Sequence, residues 1–259
     1  MVVSENTSLS NLRKMILKMS SDSQEGHIPS ALSIIEIVWA FYSRFLNEQN
    51  LLDPSKERFI LSKGHGSLAL YVVLAELNYF PKEWLETFGG YNSNLGGHPD
   101  ATKVPGVELS TGSLGHGLPI SVGLALASKI QKKDENITVL IGDGELNEGS
   151  NWESFLLGAQ HKLGNLSCII DFNNSSARAL SLGNLKEKMN AFGWKVLVID
   201  GHDCKKLIEV FGMARSEIPL AIIANTVKGK GVPEMENNPA WHHAFPGRTK
   251  LNDLIKSIK

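Results

Sequence analysis

A glycine and aspartate motif follows an apolar run near the middle of this chain. The run Ile137 to Ile141 ends in Gly142-Asp143-Gly144, and the next apolar run, Ser167 to Asp171, is followed by Asn173. Carboxylate and amide oxygens suit a hard cation such as Mg²⁺. Glycines let backbone amides approach a diphosphate closely. The two strand ends are therefore predicted to form one metal and diphosphate site.

The segment between these two strand ends reads as a helix. Glu148 to Leu163 carries Phe155, Leu156 and Ala159, which are predicted to share one apolar face. The first turn of that helix would direct positive dipole toward a bound diphosphate. The alternative for the three-residue motif alone is a tight glycine turn in which Asp143 caps the helix.

The elements that must position these residues alternate along the chain. Helices, marked by apolar residues at helical spacing, are predicted over Leu12 to Met19, Ile34 to Phe45, Leu68 to Leu77 and Leu118 to Ala127. Short apolar strands are predicted at Arg58 to Leu61, Ile137 to Ile141, Ser167 to Asp171, Lys195 to Ile199 and Leu220 to Ala224. This alternation predicts an α/β fold, with a mainly parallel sheet and helices on both faces. Ligands of such sheets bind at the carboxyl ends of the strands, where the polar motifs fall.

Composition narrows the class of partner. The 259 residues carry a formal net charge of -1, which argues against nucleic acid or acidic membranes as partners. The first residues have no basic stretch followed by an apolar core, and no apolar segment approaches membrane-spanning length. A cytoplasmic protein is expected.

Longer strings carry a family resemblance. The string GDGELNEGSNWE, from Gly142 to Glu153, resembles the metal-binding motif of transketolases, which depend on thiamine diphosphate. Five further motifs stand in that family's order: GHIPS from Gly26, RFILSKGHG from Arg58, LGGHP from Leu95, STGSLGHG from Ser110 and MENNPAWH from Met235. The resemblance runs from Gly26 to about Pro246. It implies the thiamine diphosphate-binding fold, in its diphosphate-binding domain.

The resemblance implies a cofactor site with a divalent metal, Mg²⁺ or alternatively Ca²⁺ or Mn²⁺. Its metal ligands would be Asp143, Asn173 and the main-chain carbonyl of Ser175. The residues implied to surround thiamine diphosphate are His65, Gly112, Ser113, Leu114, Gly142, Asp143, Gly144, Glu145 and Asn173.

Histidines carry the implied sugar chemistry. By resemblance His27, His98 and His242 would surround the reacting carbon, where imidazoles can bind hydroxyl groups and transfer protons near neutral pH. His161 and His202 lie outside the matched active-site strings and are interpreted as structural. The roles of His116 and His243 stay open between substrate contact and a hydrogen bond within a loop.

Glu148 completes the implied catalytic set. It matches a buried glutamate that links cofactor sites across subunits in the family, although a carboxylate at a helix N-terminus has the same sequence signature.

One segment departs from the family pattern. After Asn173, similar proteins continue with a longer acidic loop, where this chain has the shorter segment Asn174 to Leu180. The departure removes an apolar residue that lies beside the thiazolium in the family, so substrate scope or cofactor affinity is expected to differ.

The expected activity needs a second polypeptide. The chain ends at Lys259, just after the last motif, and residues 1 to 259 resemble the N-terminal half of transketolase as one domain. The implied partner carries the pyrimidine-binding domain in an α2β2 heterotetramer. Together they would transfer a two-carbon ketol unit from a ketose to an aldose. The alternatives are one component of another thiamine diphosphate-dependent synthase or dehydrogenase, and a noncatalytic regulatory subunit.

Overall fold

Five apolar segments pair side by side into one parallel sheet in the computed structural model. The structure describes residues 5–46, 57–176, 180–213 and 216–258. The strands in these ranges are β1 (Glu57–Leu61), β2 (Asn136–Gly142), β3 (Leu166–Phe172), β4 (Lys195–Asp200) and β5 (Leu220–Asn225). Their order is β1-β2-β3-β5-β4, and every pair is parallel. All five strands predicted from the sequence are confirmed.

Helices occupy both faces of this sheet. In the described ranges they are α1 (Glu5–Ser23), α2 (Ile28–Leu32), α3 (Ile35–Ser43), α4 (Ser67–Glu76), α5 (Gly117–Ile130), α6 (Gly149–Gln160), α7 (Leu185–Ala191), α8 (Cys204–Phe211) and α9 (Arg248–Ser257). The predicted α/β fold, with helices on both faces, is therefore confirmed. Within the same ranges, the structure adds four helices that the sequence did not predict, α2, α7, α8 and α9. The predicted Ile34 to Phe45 helix corresponds to α3 followed by a 3-10 turn.

Alternation along the strands creates two apolar cores. Leu140 of β2 packs with helices α1 to α4 and α8, whereas its neighbours Val139 and Ile141 pack with helices α5 to α7. Because successive strand side chains point to opposite faces, each central strand contributes to both cores. This burial on both faces explains why the strands read as nearly continuous apolar runs.

The path of the chain opens a crevice between β1 and β2. After β1 the chain continues into α4 on one face of the sheet, whereas after the neighbouring β2 it continues into α6 on the other face. At such a switch point the two connecting loops diverge and leave room for a ligand. The loops after these two strands carry two of the sequence motifs, Ser62 to Gly66 and Gly142 to Gly144.

One predicted helix face is wrong. Phe155 of α6 is fully buried, but Leu156 is 57 % exposed. Adjacent helix positions point about 100° apart, so the two side chains do not share a face. Within the described residues, no helix is both long and apolar enough to cross a membrane.

Candidate cofactor site

A cavity of about 570 Å³ lies at the carboxyl ends of β1, β2 and β3. Its walls are His27, Ser30, Lys63, His65, His98, Gly112, Leu114, Gly142, Asp143, Gly144, Glu145, Asp171, Asn173, Ser175, Ser176, Lys228, His242 and His243. The motifs that the sequence separates by more than 200 residues thus line one cleft.

Two of the predicted site residues do not line this cavity. Ser113 is exposed beside it. Glu148 is exposed at the N-terminus of α6, where it precedes the first helical residue and lies against Gly115. Any contact of these two side chains with a ligand therefore has to be made from the rim of the cleft.

Asp143 presents an unsatisfied carboxylate oxygen. Its Oδ1 accepts a hydrogen bond from the Gly144 amide at 2.7 Å, whereas its buried Oδ2 has no partner among the described residues. Burial, together with the nearby Asp171 carboxylate, raises the pKa of Asp143. A buried carboxylate in this state gains from a cation, which would supply both the missing contact and the opposite charge.

Asn173 and Ser175 stand next to Asp143. The Ser175 amide donates to Asn173 Oδ1 at 3.0 Å, and the Ser175 hydroxyl lies 3.4 Å from Asp143 Oδ1. The Nδ2 group of Asn173 donates to Asp171 at 3.0 Å, so the amide oxygen is the atom that faces Ser175. The strand ends that the sequence predicts to converge are in contact, and their oxygens fit the ligand preference of a hard cation.

A buried ion pair beneath the cleft was not predicted from the sequence. Lys63 is 2 % exposed and pairs with the fully buried Asp171. Burial opposes ionisation of Asp171, but the Lys63 ammonium and hydrogen bonds from Ser33 and Thr226 hold its pKa below the usual value. Lys63 lies in the RFILSKGHG motif just after β1, and Asp171 ends the apolar run of β3, yet only the fold shows that the two charges meet.

Glu145 joins the loops that form the cleft. Its Oε1 accepts hydrogen bonds from the Ser62 hydroxyl and from the Gly115 amide at 3.0 Å, and its Oε2 accepts from the Gly142 amide at 3.3 Å. Burial raises the pKa of this carboxyl. The described contacts of Glu145 are thus internal, and they tie the loops after β1 and β2 to the loop before α5.

Four histidines form a cluster at the mouth of the cavity. The ring of His27 lies 5.4 Å from His65, 5.9 Å from His242 and 4.5 Å from His243, measured between centroids. Burial, with the neighbouring histidines, lowers the pKa of His27 to about 4. Burial and the charge of Lys63 lower the pKa of His65 to about 2. Both imidazoles are therefore neutral near pH 7.

His243 joins this cluster, although the sequence left its role open. His116, the other undecided histidine, is exposed away from the cavity, with Nδ1 3.1 Å from the Leu114 carbonyl oxygen. His98 lines the cavity but is exposed.

Two glycine loops touch backbone to backbone inside the cleft. A Cβ atom at Gly64 would lie 2.8 Å from the Gly112 nitrogen, closer than real Cβ atoms approach. Gly112 has φ +143°, and a Cβ there would meet the His98 ring at 3.0 Å. At Gly142 and Gly144 an added Cβ would meet protein atoms only at 3.9 and 3.5 Å, so packing within the chain leaves that floor open.

Lys228 is a second cleft residue that the sequence patterns did not predict. Its Nζ lies 3.0 Å from His242 Nδ1, and burial together with the Lys63 charge lowers its pKa. The signal in the sequence was the pattern Lys228-Gly229-Lys230-Gly231 shortly after the β5 run, because glycine-flanked lysines near a strand's carboxyl end suit a phosphate.

A second cavity of about 600 Å³ lies at the amino ends of β2 and β3, with Lys129, Lys132, Lys133 and Lys162 among its lining. Lys129 Nζ donates to the carbonyl oxygens of His161 and Lys162 at 2.7 and 3.0 Å, just past the end of α6. Lysines at helix C-termini complement the dipole. The cleft at the carboxyl ends is the candidate site, because it gathers the histidines and the unsatisfied carboxylate.

Known proteins share both the sequence and the fold. Residues 4–257 match the family model described as transketolase, thiamine diphosphate binding domain. The chain is 40 % identical over 255 residues to an apulose-4-phosphate transketolase subunit of Actinobacillus succinogenes, covering 95 % of this chain and 92 % of that protein. It is 35 % identical over 241 residues to a 6-deoxy-6-sulfo-D-fructose transketolase subunit of a Clostridium species, covering 90 % and 88 %.

Among solved structures, the chain is similar to the transketolase of Campylobacter jejuni, with a TM-score of 0.82 and 31 % identity. That match covers 99 % of this chain and 42 % of the Campylobacter chain, so this chain spans about two fifths of its length.

Proposed function

Because this chain belongs to the transketolase family, we propose that it is the thiamine diphosphate-binding subunit of a transketolase divided between two polypeptides. With its partner it transfers a two-carbon ketol unit from a ketose to an aldose. The observation that carries the proposal is the cleft itself, in which an unsatisfied buried carboxylate and a cluster of neutral histidines meet at a switch point of the sheet. Residues 1 to 259 act in this proposal as one domain.

The metal ion that accompanies the cofactor's diphosphate is proposed to bind at Asp143. The carboxylate of Asp143, the amide oxygen of Asn173 and the main-chain carbonyl of Ser175 are the proposed ligands of Mg²⁺, or of Ca²⁺ or Mn²⁺ in its place. The orphaned Oδ2 of Asp143 supports this assignment, because a bound cation would remove its desolvation penalty.

The diphosphate is proposed to lie over the open floor formed by Gly142 and Gly144, where no protein atom fills the space. Lys228 and the one ring N-H of the neutral His65 can donate to its oxygens, and Glu145 holds the surrounding loops in place. Gly112, Ser113 and Leu114 are proposed to bind the ring portion of the cofactor. When bound, thiamine diphosphate supplies an electron sink for breaking and forming a carbon-carbon bond.

The histidines are proposed to handle the sugar. His27 and His242 are neutral imidazoles near pH 7, so each can accept a proton from a sugar hydroxyl or donate its N-H to the ketose carbonyl oxygen. His98, exposed at the rim, is positioned to bind a hydroxyl group further along the sugar. Proton acceptance by His27 and His242 needs the unprotonated ring, which burial favours by lowering the pKa of both.

The partner surface is proposed to include α5 and the start of α6. Ile120, Leu124, Leu156 and Leu157 are between 36 % and 57 % exposed on these two packed helices. Glu148 lies at the N-terminus of α6 on the same side of the sheet, where a partner could bury it. The relatives named as components of apulose-4-phosphate transketolase match over nine tenths of their own length, which supports a separate partner polypeptide. We propose an α2β2 assembly in the cytoplasm.

The test is a turnover assay with a ketose donor and an aldose acceptor, with thiamine diphosphate and Mg²⁺ present. The purified chain is compared alone and after co-expression with the polypeptide encoded beside it. The proposal expects activity in the co-expressed preparation and none from the chain alone. Full activity of the chain alone would contradict the divided enzyme, and a co-expressed pair that neither binds thiamine diphosphate nor turns over sugar would contradict the function.

A further inference from the structure

His202 uses both ring nitrogens in a buried connection outside the cleft. It lies in the turn after β4, and its side chain is 10 % exposed. Nδ1 lies 3.0 Å from Glu36 Oε2 on α3, and Nε2 lies 2.8 Å from the backbone nitrogen of Val227, just after β5. The ring therefore bridges a helix and the loop that enters the candidate site.

The partners of His202 define its tautomer. The Val227 N-H is a donor, so Nε2 must accept, and the ring proton must lie on Nδ1, where it donates to Glu36. Glu36 is 3 % exposed and also pairs with the buried Arg13 of α1. A protonated ring would turn a second N-H toward Val227 and break the bridge.

The same network holds the loop at a second point. Arg13 Nε donates to the Lys230 carbonyl oxygen at 3.2 Å, and the Gly229 amide donates to the Pro29 carbonyl oxygen at 3.0 Å. Lys228 therefore lies between the anchored Val227 and the anchored Gly229, and its ammonium lines the cleft beside His242. The backbone on either side of Lys228 is thus fixed from α1, α2 and the turn after β4.

We propose that His202 is a positioning residue, which fixes Lys228 over the diphosphate end of the cleft through the main chain of Val227. This inference rests on the proposed function, because it assigns Lys228 to the cofactor's phosphate groups. A lysine side chain loses much rotamer freedom when it binds, and an anchored backbone lowers the remaining cost of aiming it. Loss of His202 is expected to weaken cofactor binding without removing any cofactor contact.

A double-mutant cycle separates this role from general support of the fold. Thiamine diphosphate affinity is measured by calorimetry with Mg²⁺ on the chain co-purified with its partner. Lys228→Met is expected to weaken binding about 10- to 100-fold, the range of a hydrogen bond to a charged group. His202→Leu, which removes both hydrogen bonds, is expected to weaken it on the order of tenfold.

The double variant is expected to bind no more weakly than Lys228→Met alone, because His202 acts only through Lys228. His202→Gln can accept from Val227 and donate to Glu36, so it is expected to restore most of the affinity. His161→Leu is the matched control, since His161 is exposed past the end of α6, and it is expected to bind as the wild type does. If His202→Leu does not fold, the shorter His202→Asn takes its place in the cycle.

Additive losses in the double variant would overturn the role of His202, and so would unchanged affinity in His202→Leu. A wild-type complex that does not bind thiamine diphosphate would overturn the proposed function, and this inference with it. If the wild-type complex binds thiamine diphosphate and the losses are additive, only the positioning role of His202 is rejected. The two failures are therefore distinguishable.

Discussion

Asp143 and Asp171 are neighbouring buried carboxylates with opposite roles. Asp171 meets a buried ammonium and several donors, whereas Asp143 keeps one oxygen without a partner among the described residues. Their pKa values move in opposite directions for this reason, lowered at Asp171 and raised at Asp143. The contrast distinguishes a carboxylate that is paired within the fold from one that we propose binds the metal.

Matched asparagine variants test this contrast. Asp143→Asn keeps an oxygen that can accept from Gly144, replaces the unpartnered Oδ2 by an amide NH2 group and removes a buried charge. The free energy of unfolding of the cofactor-free chain is therefore expected to change little. Its Mg²⁺-dependent affinity for thiamine diphosphate is expected to fall at least about 100-fold, since even residues behind metal ligands cost up to that much. Asp171→Asn leaves Lys63 buried without its counter-charge and is expected to lower the free energy of unfolding by about 3–5 kcal/mol. Urea denaturation and calorimetry give both quantities.

The assignment of Asp143 fails if its asparagine variant binds cofactor as tightly as the wild type. It fails equally if Asp143→Asn destabilises the cofactor-free chain as much as Asp171→Asn does, because that result would make Asp143 a structural carboxylate.

His27 predicts how stability depends on pH. Its pKa is about 4 in the folded chain, against about 6.5 when unfolded. Between these values the unfolded chain binds more protons, so the free energy of unfolding is highest above about pH 6.5 and falls as the pH drops toward 4. His27→Gln removes this group, and the fall across that window is expected to become smaller. Urea midpoints at several pH values measure it; the lower pKa of His65 should leave part of the slope in the variant. An identical fall in both proteins would contradict the assignment.

Helices α5 and α6 carry the proposed partner surface. Leu124 and Leu157 present apolar side chains, and an added Cβ at Gly123 would meet no atom within 4 Å. The double substitution Leu124→Glu and Leu157→Glu is expected to abolish co-purification with the partner, because charge would be buried in an apolar contact. The melting temperature of the chain alone should change little, since both side chains already contact water.

Ile208→Glu provides the control for that prediction. Ile208 is 39 % exposed on α8, against the opposite face of the sheet. It carries the same change in charge and is expected to leave assembly intact. Equal loss of the partner from both variants would indicate a general effect on solubility rather than an interface at α5 and α6.

The strands and most helices could be predicted because their apolar periods are local properties of the sequence. The helices α2, α7, α8 and α9 were not predicted, and the first three, with five to eight residues, are too short to establish a period. The prediction of which side of α6 is buried was partly wrong. Leu156 is as apolar as a core residue, but tertiary packing leaves it exposed. Within the segment Asn174 to Leu180, which departs from the family pattern, residues 177–179 lie outside the described residues.

The sequence motifs predicted where the site lies, but they did not predict which charged residues pair within it. The residues around Asp143 and His27 were found through strings of several residues each. The pairing of Lys63 with Asp171 and the approach of Lys228 to His242 depend on distances between strand ends, which no sequence spacing encodes. Whether Glu148 is catalytic depends on a partner surface and stays a prediction.

For the whole molecule, cofactor binding and stability are linked. Thiamine diphosphate with Mg²⁺ binds only the folded cleft in this proposal, so at a hundred times its dissociation constant it should raise the free energy of unfolding by about 2.7 kcal/mol. The rise at a fixed cofactor concentration is expected to be larger with the partner present, because the complex would enclose more of the ligand. Thermal melts with and without Mg²⁺ test this. A cofactor-induced rise in melting temperature that is the same without Mg²⁺ would contradict the metal site.

The contact between the loops of Gly64 and Gly112 has a consequence for how this chain can evolve. A side chain at Gly64 would strike the backbone at Gly112, and one at Gly112 would strike the ring of His98. Three positions that are not adjacent in the sequence are therefore expected to evolve together, because a substitution at one is costly until a second has occurred. Drift toward a new substrate should be slow in these loops and faster in the segment after Asn173, where no such interlock exists among the described residues.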